Sequence, residues 1–309
     1  ADGTMGAPVT VSDGTLVIAQ RDVAMAPDGR ALVLWSESAT GTTPLSLRAR
    51  WLEPDDTLGP QIAVRDGSAT VTTDSITVTG TVDGDAVAAW RNDSGAPAGR
   101  AEARRIDASG GLGPLLQPTQ GPDVAGAIGL EPDAGGGALM AWRAAPGIVA
   151  MPVDVGGTAG TVRTPVAAGV LSDPRLTAGP PGRFHLLWIA QGPPDSLATL
   201  TLDSAGLAAG TVQTVDPAAS SVETFTAGSN TAGRSLAVAG HGGAVVGLRL
   251  FGADGVPEGG APFTAPAEQQ FAVDAAGLGA GTGVGLCVPC PSGGLRSLVA
   301  RTFAPAGTP

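Results

Sequence analysis

Short apolar segments alternate with polar, glycine-rich turns along the whole chain, and the same arrangement recurs roughly every 50 residues. Its most regular feature is an apolar segment that ends in tryptophan, as in residues 31–35 (ALVLW). With two degenerate copies included, the anchor positions are Trp35, Trp90, Trp142, Trp188, Ala239 and Cys287. Six such copies fill the chain, and the pattern therefore predicts a repeat protein.

Each copy predicts four short strands. A strand leading into a Gly-containing turn precedes the tryptophan segment (residues 23–29 in the first copy), and a strand ending in an apolar-acidic pair such as Leu52-Glu53 follows it. A second glycine turn and a fourth strand, such as residues 61–64, complete the unit. Short strands bounded by such turns are typical of antiparallel sheets. The tryptophan strand is apolar on both faces, which indicates a sheet covered on both sides.

These features predict an all-β fold: a single six-bladed β-propeller over residues 1–309, with four antiparallel strands per blade. The chain opens on residues 8–11 (PVTV), which match the fourth strand, and ends near Phe303, which matches the third. We therefore expect the N-terminal strand to close the last blade, an arrangement that removes free sheet edges.

Charge and cysteine content narrow the classes of partner and the compartment. The net charge of −11 argues against nucleic acid or an anionic membrane as partner, since both need a basic surface. No apolar run is long enough for a transmembrane helix, so membrane insertion is not expected. The start, Ala1-Asp2, suits a mature end left by a signal peptidase. We expect a secreted or cell-surface protein in which Cys287 and Cys290 form a local disulfide.

The repeat resembles tandem units of predicted secreted propeller proteins from high-GC bacteria. The residues that carry this resemblance are Pro27-Asp28-Gly29 followed by Trp35, and Ala103-Arg104-Arg105-Ile106-Asp107 in the second copy. The resemblance covers the whole chain and its motifs are structural. It implies a propeller fold and an extracytoplasmic location, and it implies no activity.

Aromatic and basic residues supply the candidate binding positions. Four tryptophans at equivalent positions could form platforms for sugar rings, but burial between blades is the commoner outcome for an aromatic side chain. Trp51 lies on the third strand, outside this series, and we expect it to be more exposed and available as a contact residue. Arg48 and Arg50 lie two apart on the same predicted strand and so share a face. A solvated outer face is favoured for this pair over a carboxylate-binding patch.

No residue set predicts a metal, a cofactor or a catalytic centre. The acidic clusters at residues 53–56 and 83–85 lack the spacing of a hard-cation loop, and turn chemistry accounts for their Asp and Gly. His185 lies within an apolar strand and is expected to be a core histidine, whereas His241 lies in a glycine turn without a recognisable partner. Zinc needs about four ligands. The two cysteines share the last copy, and the two histidines lie in other copies.

The leading hypothesis is a non-catalytic extracytoplasmic binding or assembly module whose partner is a protein or a surface polymer. A lectin-like propeller is the first alternative, although the absence of Tyr weakens it. A sialidase is disfavoured because the usual nucleophile of that class is Tyr. A glycoside hydrolase or lyase that uses two distant carboxylates leaves no local signature, and this second alternative stays open.

Overall fold

The structure is a computed structural model of the 309-residue chain. It describes residues 7–40, 46–65, 75–92, 99–118, 124–216, 222–229, 233, 235–241, 245–258, 272–278, 281–288 and 297–303. Within these ranges the chain forms antiparallel sheets of three or four strands and no helix. The prediction of an antiparallel all-β fold is confirmed.

The described strands belong to six sheets, each built from strands that follow one another in the chain. The first and second sheets contain β1 (Val17–Met25), β2 (Ala31–Ser38), β3 (Ser46–Leu52), β4 (Ile62–Arg65), and β5 (Ile76–Gly80), β6 (Ala86–Asn92), β7 (Arg100–Ile106). The third and fourth contain β8 (Ile128–Pro132), β9 (Ala138–Ala144), β10 (Gly147–Val153), β11 (Arg163–Val166), and β12 (Arg175–Ala178), β13 (Arg183–Ala190), β14 (Ser196–Asp203), β15 (Gln213–Asp216). The fifth and sixth contain β16 (Val222–Ser229), β17 (Ser235–His241), β18 (Val245–Phe251), and β19 (Ala272–Leu278), β20 (Gly281–Val288), β21 (Ser297–Phe303).

The six anchor positions all lie on the second strand of their sheets, namely β2, β6, β9, β13, β17 and β20. The cross-strand register of the first two copies is the same: Trp35 lies opposite Arg48, and Trp90 opposite Glu102. Tight turns join the strands; in the first, the N–H of Gly29 donates to the Ala26 carbonyl, and Gly29 has φ 89°. A positive φ of this kind is adopted readily by glycine and rarely by other residues, which explains the recurrent glycines.

Four apolar clusters lie between successive sheets and form the core of the described chain. The first joins Leu34 and Trp51 of the first sheet to Ala88 and Trp90 of the second, and the same arrangement continues to the fifth sheet. Trp35, Trp90, Trp142 and Trp188 are all at most 2% exposed. The second strand is therefore buried on both faces, as its uninterrupted apolar sequence indicates.

The first strand of each sheet contacts the first strand of the next, in the succession β1, β5, β8, β12, β16 and β19. The approach is close at Gly80 of β5, where a Cβ atom would lie 2.3 Å from the Met25 carbonyl oxygen of β1. Residues 7–16, which include the expected closing strand at 8–11, are described and do not form a regular strand. In the part of the chain that the structure covers, no helix could span a membrane.

Candidate functional site

A cavity of about 520 Å³ lies between the first strands of the first four sheets, at the middle of β1 and at the starts of β5, β8 and β12. Its polar lining comes from β1, from β5 and the residue before it, and from β12: Gln20, Arg21, Asp22, Ser75, Thr77 and Arg175. Ala127 and Ile128 of the third sheet supply an apolar part of the wall. The volume lies in the range of small-molecule sites.

Two of the polar lining groups hold neighbouring sheets together. Asp22 accepts hydrogen bonds from its neighbour, the N–H of Val23, and from the N–H of Val78 on β5, both at 2.9 Å. The Ser75 hydroxyl accepts the N–H of Ile128, the first residue of β8, at 3.1 Å. These bonds satisfy backbone groups on the inner edges of the sheets, where no further strand is paired.

The two arginines of the cavity differ from these groups. Arg21 and Arg175 are exposed, and neither guanidinium makes a hydrogen bond or ion pair with another described residue. A guanidinium carries five N–H donors in a planar fork and no acceptor. Together with the hydroxyls of Ser75 and Thr77, the cavity therefore presents mainly donors.

The three binding residues proposed from sequence lie elsewhere, on β3. The expectation that Trp51 is exposed is wrong: it is 3% exposed, its Nε1 donates to the Asp107 carbonyl at 3.1 Å, and the Arg30 guanidinium lies 4.7 Å from its ring centroid. Trp51 is buried because this face of β3 packs on the second sheet. The binding role of Trp51 remains a prediction that this geometry does not support.

Arg48 and Arg50 share a face of β3, as expected, but that face is half-buried rather than fully solvated. The Nε of Arg48 bonds to Glu37 at 3.2 Å, and the Nη1 of Arg50 donates to the Val11 carbonyl at 2.8 Å. Both side chains thus already have partners within the chain. A binding role for either stays a prediction.

Two buried carboxylates that the sequence did not reveal accept hydrogen bonds from the tryptophan indoles. Glu37 accepts the Nε1–H of Trp35 at 2.7 Å, and Glu102 accepts that of Trp90 at 2.8 Å. Glu102 also accepts from the amide nitrogens of Asn92 and Gln117. Charge-assisted bonds of this kind compensate the burial of a carboxylate. A sequence signal exists only for Glu37, which follows Trp35 by two residues on one strand.

A third acidic residue, Glu131 on β8, lacks such compensation. Burial raises its pKa to about 8, and an interaction with the backbone N–H of Ala178 on β12 offsets this rise only in part. Its cross-strand partner Leu139 packs against the fourth sheet, and Glu131 therefore faces the same side. A carboxyl with this pKa is largely protonated at neutral pH.

The acidic clusters are engaged in turns and ion pairs. Asp55 accepts both the N–H and the hydroxyl of Thr57, and these bonds lower its pKa. Asp83 and Asp85 pair with Arg105, whose Nη1 donates to the Gly136 carbonyl of the third sheet. No group of three metal-ligating side chains lies together in the ranges that the structure describes.

His185 is buried, as expected of a core histidine, and its ring packs edge-on against Phe251. Its Nε2 contacts the Gly233 carbonyl at 3.3 Å, and burial lowers its pKa. The backbone of His241 ends β17 and that of Cys287 lies in β20, but their side chains, like all of Cys290, lie outside the described residues. The predicted disulfide is therefore not tested.

The chain matches no protein-family model and no curated protein sequence. It is similar to solved β-propeller structures. A leech intramolecular trans-sialidase complexed with 2,7-anhydro-Neu5Ac aligns with a TM-score of 0.56 at 9% identity, over 98% of this chain and 70% of the other. A Penicillium chrysogenum alpha-L-arabinanase complexed with arabinobiose aligns with a TM-score of 0.55 at 13% identity, over 93% of both chains.

A protein of unknown function from Dyadobacter fermentans aligns with a TM-score of 0.53 at 12% identity, over 94% of this chain and 95% of the other. At such identities the likeness concerns the fold alone, because unrelated functions recur on one architecture. The chain therefore shares the β-propeller fold of these proteins.

Proposed function

We propose that the chain is a non-catalytic binding or assembly module of a secreted or cell-surface protein, and that its partner is another protein. The observation that carries this proposal is the burial of all five tryptophans, each at most 3% exposed, in a chain without Tyr. An aromatic ring that stacks on a ligand must present a free face, and here the indoles are used between sheets. This placement favours a protein partner over a carbohydrate.

The cavity also supports binding rather than catalysis. Asp22 is the one carboxylate among its described lining residues, and both of its oxygens already accept backbone N–H groups. Glycoside hydrolysis generally needs two carboxyl groups about 5–9.5 Å apart, one of them free to transfer a proton. A site whose single acid holds two backbone amides is better suited to recognition.

The second candidate is a carbohydrate-binding propeller, favoured by the arabinobiose that the similar Penicillium arabinanase binds.

The test of the proposed function uses the purified full chain in two parallel assays: affinity capture from the extracellular fraction of its source, and a glycan array. Each captured protein is then purified and titrated against the chain by calorimetry. We expect a saturable one-to-one complex with a purified protein and no sugar binding. Sugar binding that is saturable, with no protein complex, would overturn the proposal in favour of a lectin.

We also propose that the six sheets are blades of a closed ring, and that residues 8–11 serve as the fourth strand of the last blade. Arg50 and Arg104 occupy equivalent places in the first two sheets. Arg50 lies opposite Val33 and Arg104 lies opposite Ala88, and each of these partners lies two residues before the tryptophan of its own strand. Arg104 donates through Nη1 to the Val64 carbonyl of β4, the fourth strand of the preceding sheet, at 2.8 Å. Arg50 makes the same bond to the Val11 carbonyl at the same distance. Val11 thus lies where the fourth strand of a preceding blade would lie.

The exposed face of β1 is where closure of the ring would add a contact. Val23 lies opposite Val33 and is 58% exposed, whereas the equivalent residues of the next two sheets, Val78 and Leu130, are 7% and 9% exposed. Those two residues are buried by the sheet before them in the chain. The sixth sheet is the element of this chain that would cover Val23 in the same way.

A double-mutant cycle tests closure, with Arg104→Ala as the matched control. In the full chain, Arg50→Ala and Arg104→Ala should each lower the free energy of unfolding by about 1.5–3 kcal/mol, the usual worth of a hydrogen bond to a charged group. In a chain that lacks residues 1–12, Arg50→Ala should have little further effect, whereas Arg104→Ala should keep its full effect. Equal effects of Arg50→Ala in both chains would contradict the closure proposal.

A further inference from the structure

The arginines of the cavity, Arg21 and Arg175, are bound to no other described residue. Elsewhere in the chain, guanidiniums bridge sheets: Arg30 bonds to the carbonyls of Gly84 and Ala108, and Arg105 bonds to the carbonyl of Gly136. Arg21 and Arg175 have no such partner among the described residues, and both border the open cavity. They are therefore free to bind a ligand.

We propose that this cavity binds a small organic acid that carries at least two carboxylate groups, with Arg21 and Arg175 as the two anchors. This inference goes beyond the proposed protein-binding role, which does not require a small ligand.

The hydrogen-bond donors and acceptors that line the cavity indicate the class of ligand. Each oxygen of the Asp22 carboxylate already accepts one backbone amide, and the Ser75 oxygen accepts one as well, so that its hydroxyl hydrogen is left to donate. The groups left over are thus predominantly donors, two of them cationic. A carboxylate matches the planar fork of a guanidinium with two parallel hydrogen bonds. Binding such a group requires this local match, because the chain as a whole carries a net charge of −11 and repels anions at long range.

The positions of the anchors indicate two carboxylates rather than one. Arg21 lies on β1 of the first sheet and Arg175 on β12 of the fourth, with β5 and β8 between them in the succession of innermost strands. The two residues therefore line the cavity from different sheets. A volume of about 520 Å³ accommodates an acid with several carbon atoms between its carboxylates, and Ala127 and Ile128 line it with apolar groups against which those carbons can pack.

Isothermal titration calorimetry on the full chain tests the proposal, with succinate, citrate, acetate and glucuronate as probes at constant pH and ionic strength. We expect saturable one-to-one binding of succinate or citrate, at least tenfold tighter than that of acetate. Arg21→Gln and Arg175→Gln should each weaken the binding at least tenfold. Arg183→Gln, which alters an exposed arginine of the fourth sheet outside the cavity, should leave the affinity unchanged.

Thermal melting of each variant without ligand establishes that it is folded. Where a glutamine variant melts early, Arg21→Lys or Arg175→Lys, which keeps the charge but loses the fork, replaces it and should weaken binding by a smaller factor. Absence of binding by both succinate and citrate would overturn the proposal, and so would equal affinity in the control and the cavity variants. Binding of glucuronate alone would overturn the requirement for a second carboxylate. None of these outcomes bears on whether a protein partner exists, which the capture assay decides separately.

Discussion

Replacing Glu131 with Gln should stabilise the protein at neutral pH and leave its stability unchanged in acid. Glu131 lies on β8 with a pKa raised to about 8 by burial, against an ordinary value of 4.5. Below pH 4.5 the carboxyl is protonated in both the folded and the unfolded chain. As pH rises from 4.5 towards 8, the unfolded chain loses this proton while the folded chain retains it, so that stability present in acid is progressively lost. Gln keeps the shape of the protonated acid and can still accept the N–H of Ala178.

The size of the effect follows from the pKa difference. Each pH unit between the two pKa values costs about 1.4 kcal/mol of stability, which gives an upper figure of roughly 3.4 kcal/mol at pH 7. Glu131 is only half-buried, and screening by solvent reduces this to on the order of 2 kcal/mol. The gain should be near zero at pH 4.5, increase up to about pH 8 and remain constant above it.

Urea unfolding followed by tryptophan fluorescence between pH 4.5 and 8.5 measures this gain, since all five indoles are buried in the native state. Glu102→Gln is the matched control with the opposite expected sign, because Glu102 accepts three side-chain N–H donors and its amide would turn a donor towards them. A gain for Glu131→Gln that does not change across this pH range would refute the reasoning. So would a loss of stability in that variant at pH 7.

Three further predictions concern single interactions. Arg105→Ala should lower the free energy of unfolding by about 2–4 kcal/mol, because it leaves two carboxylates and the Gly136 carbonyl without their partner. Chemical denaturation measures this, with Arg183→Ala as a control whose free energy of unfolding should stay within about 0.5 kcal/mol of that of the parent. Burial lowers the pKa of His185, so the unfolded chain takes up this proton at a higher pH than the folded chain does, and stability should decrease as pH falls below 6.5. In His185→Gln the free energy of unfolding should decrease less over that range. Titration of the unfolded, unreduced chain with a thiol reagent should find no free thiol if Cys287 and Cys290 form a disulfide, and two thiols would contradict this.

The repeat pattern carried most of the information about the fold. Trp35, Trp90, Trp142 and Trp188 each end a largely apolar segment of a strand, and a segment of this kind is typical of an element covered on both faces. The turn glycines were equally informative, since Gly29 and Gly84 both have φ 89° at the first turn of successive sheets. Local chemistry of this kind is visible in the sequence because each signal lies within a few residues.

The properties of individual side chains were harder to infer because they depend on the neighbouring sheet. Trp51 was expected to be exposed, yet it is covered by Arg30 and by the Asp107 carbonyl, which lie in turns far from it in the sequence. The cavity was missed for the same reason. Arg21 and Arg175 are far apart in the chain and border one cavity only because the first strands of successive sheets lie side by side.

Strand β1 connects the proposed closure of the ring to the cavity. Arg21, which lines the cavity, and Val23, which is exposed, lie two residues apart on one face of this strand. A sixth sheet that covers Val23 would therefore also border the cavity beside Arg21 and restrict the motion of its side chain. Because an ordered anchor loses less entropy on binding, deleting residues 1–12 should weaken citrate binding as well as lower the melting temperature. Calorimetry on the shortened chain, below its melting temperature, measures this; an unchanged affinity would show that the cavity functions independently of closure.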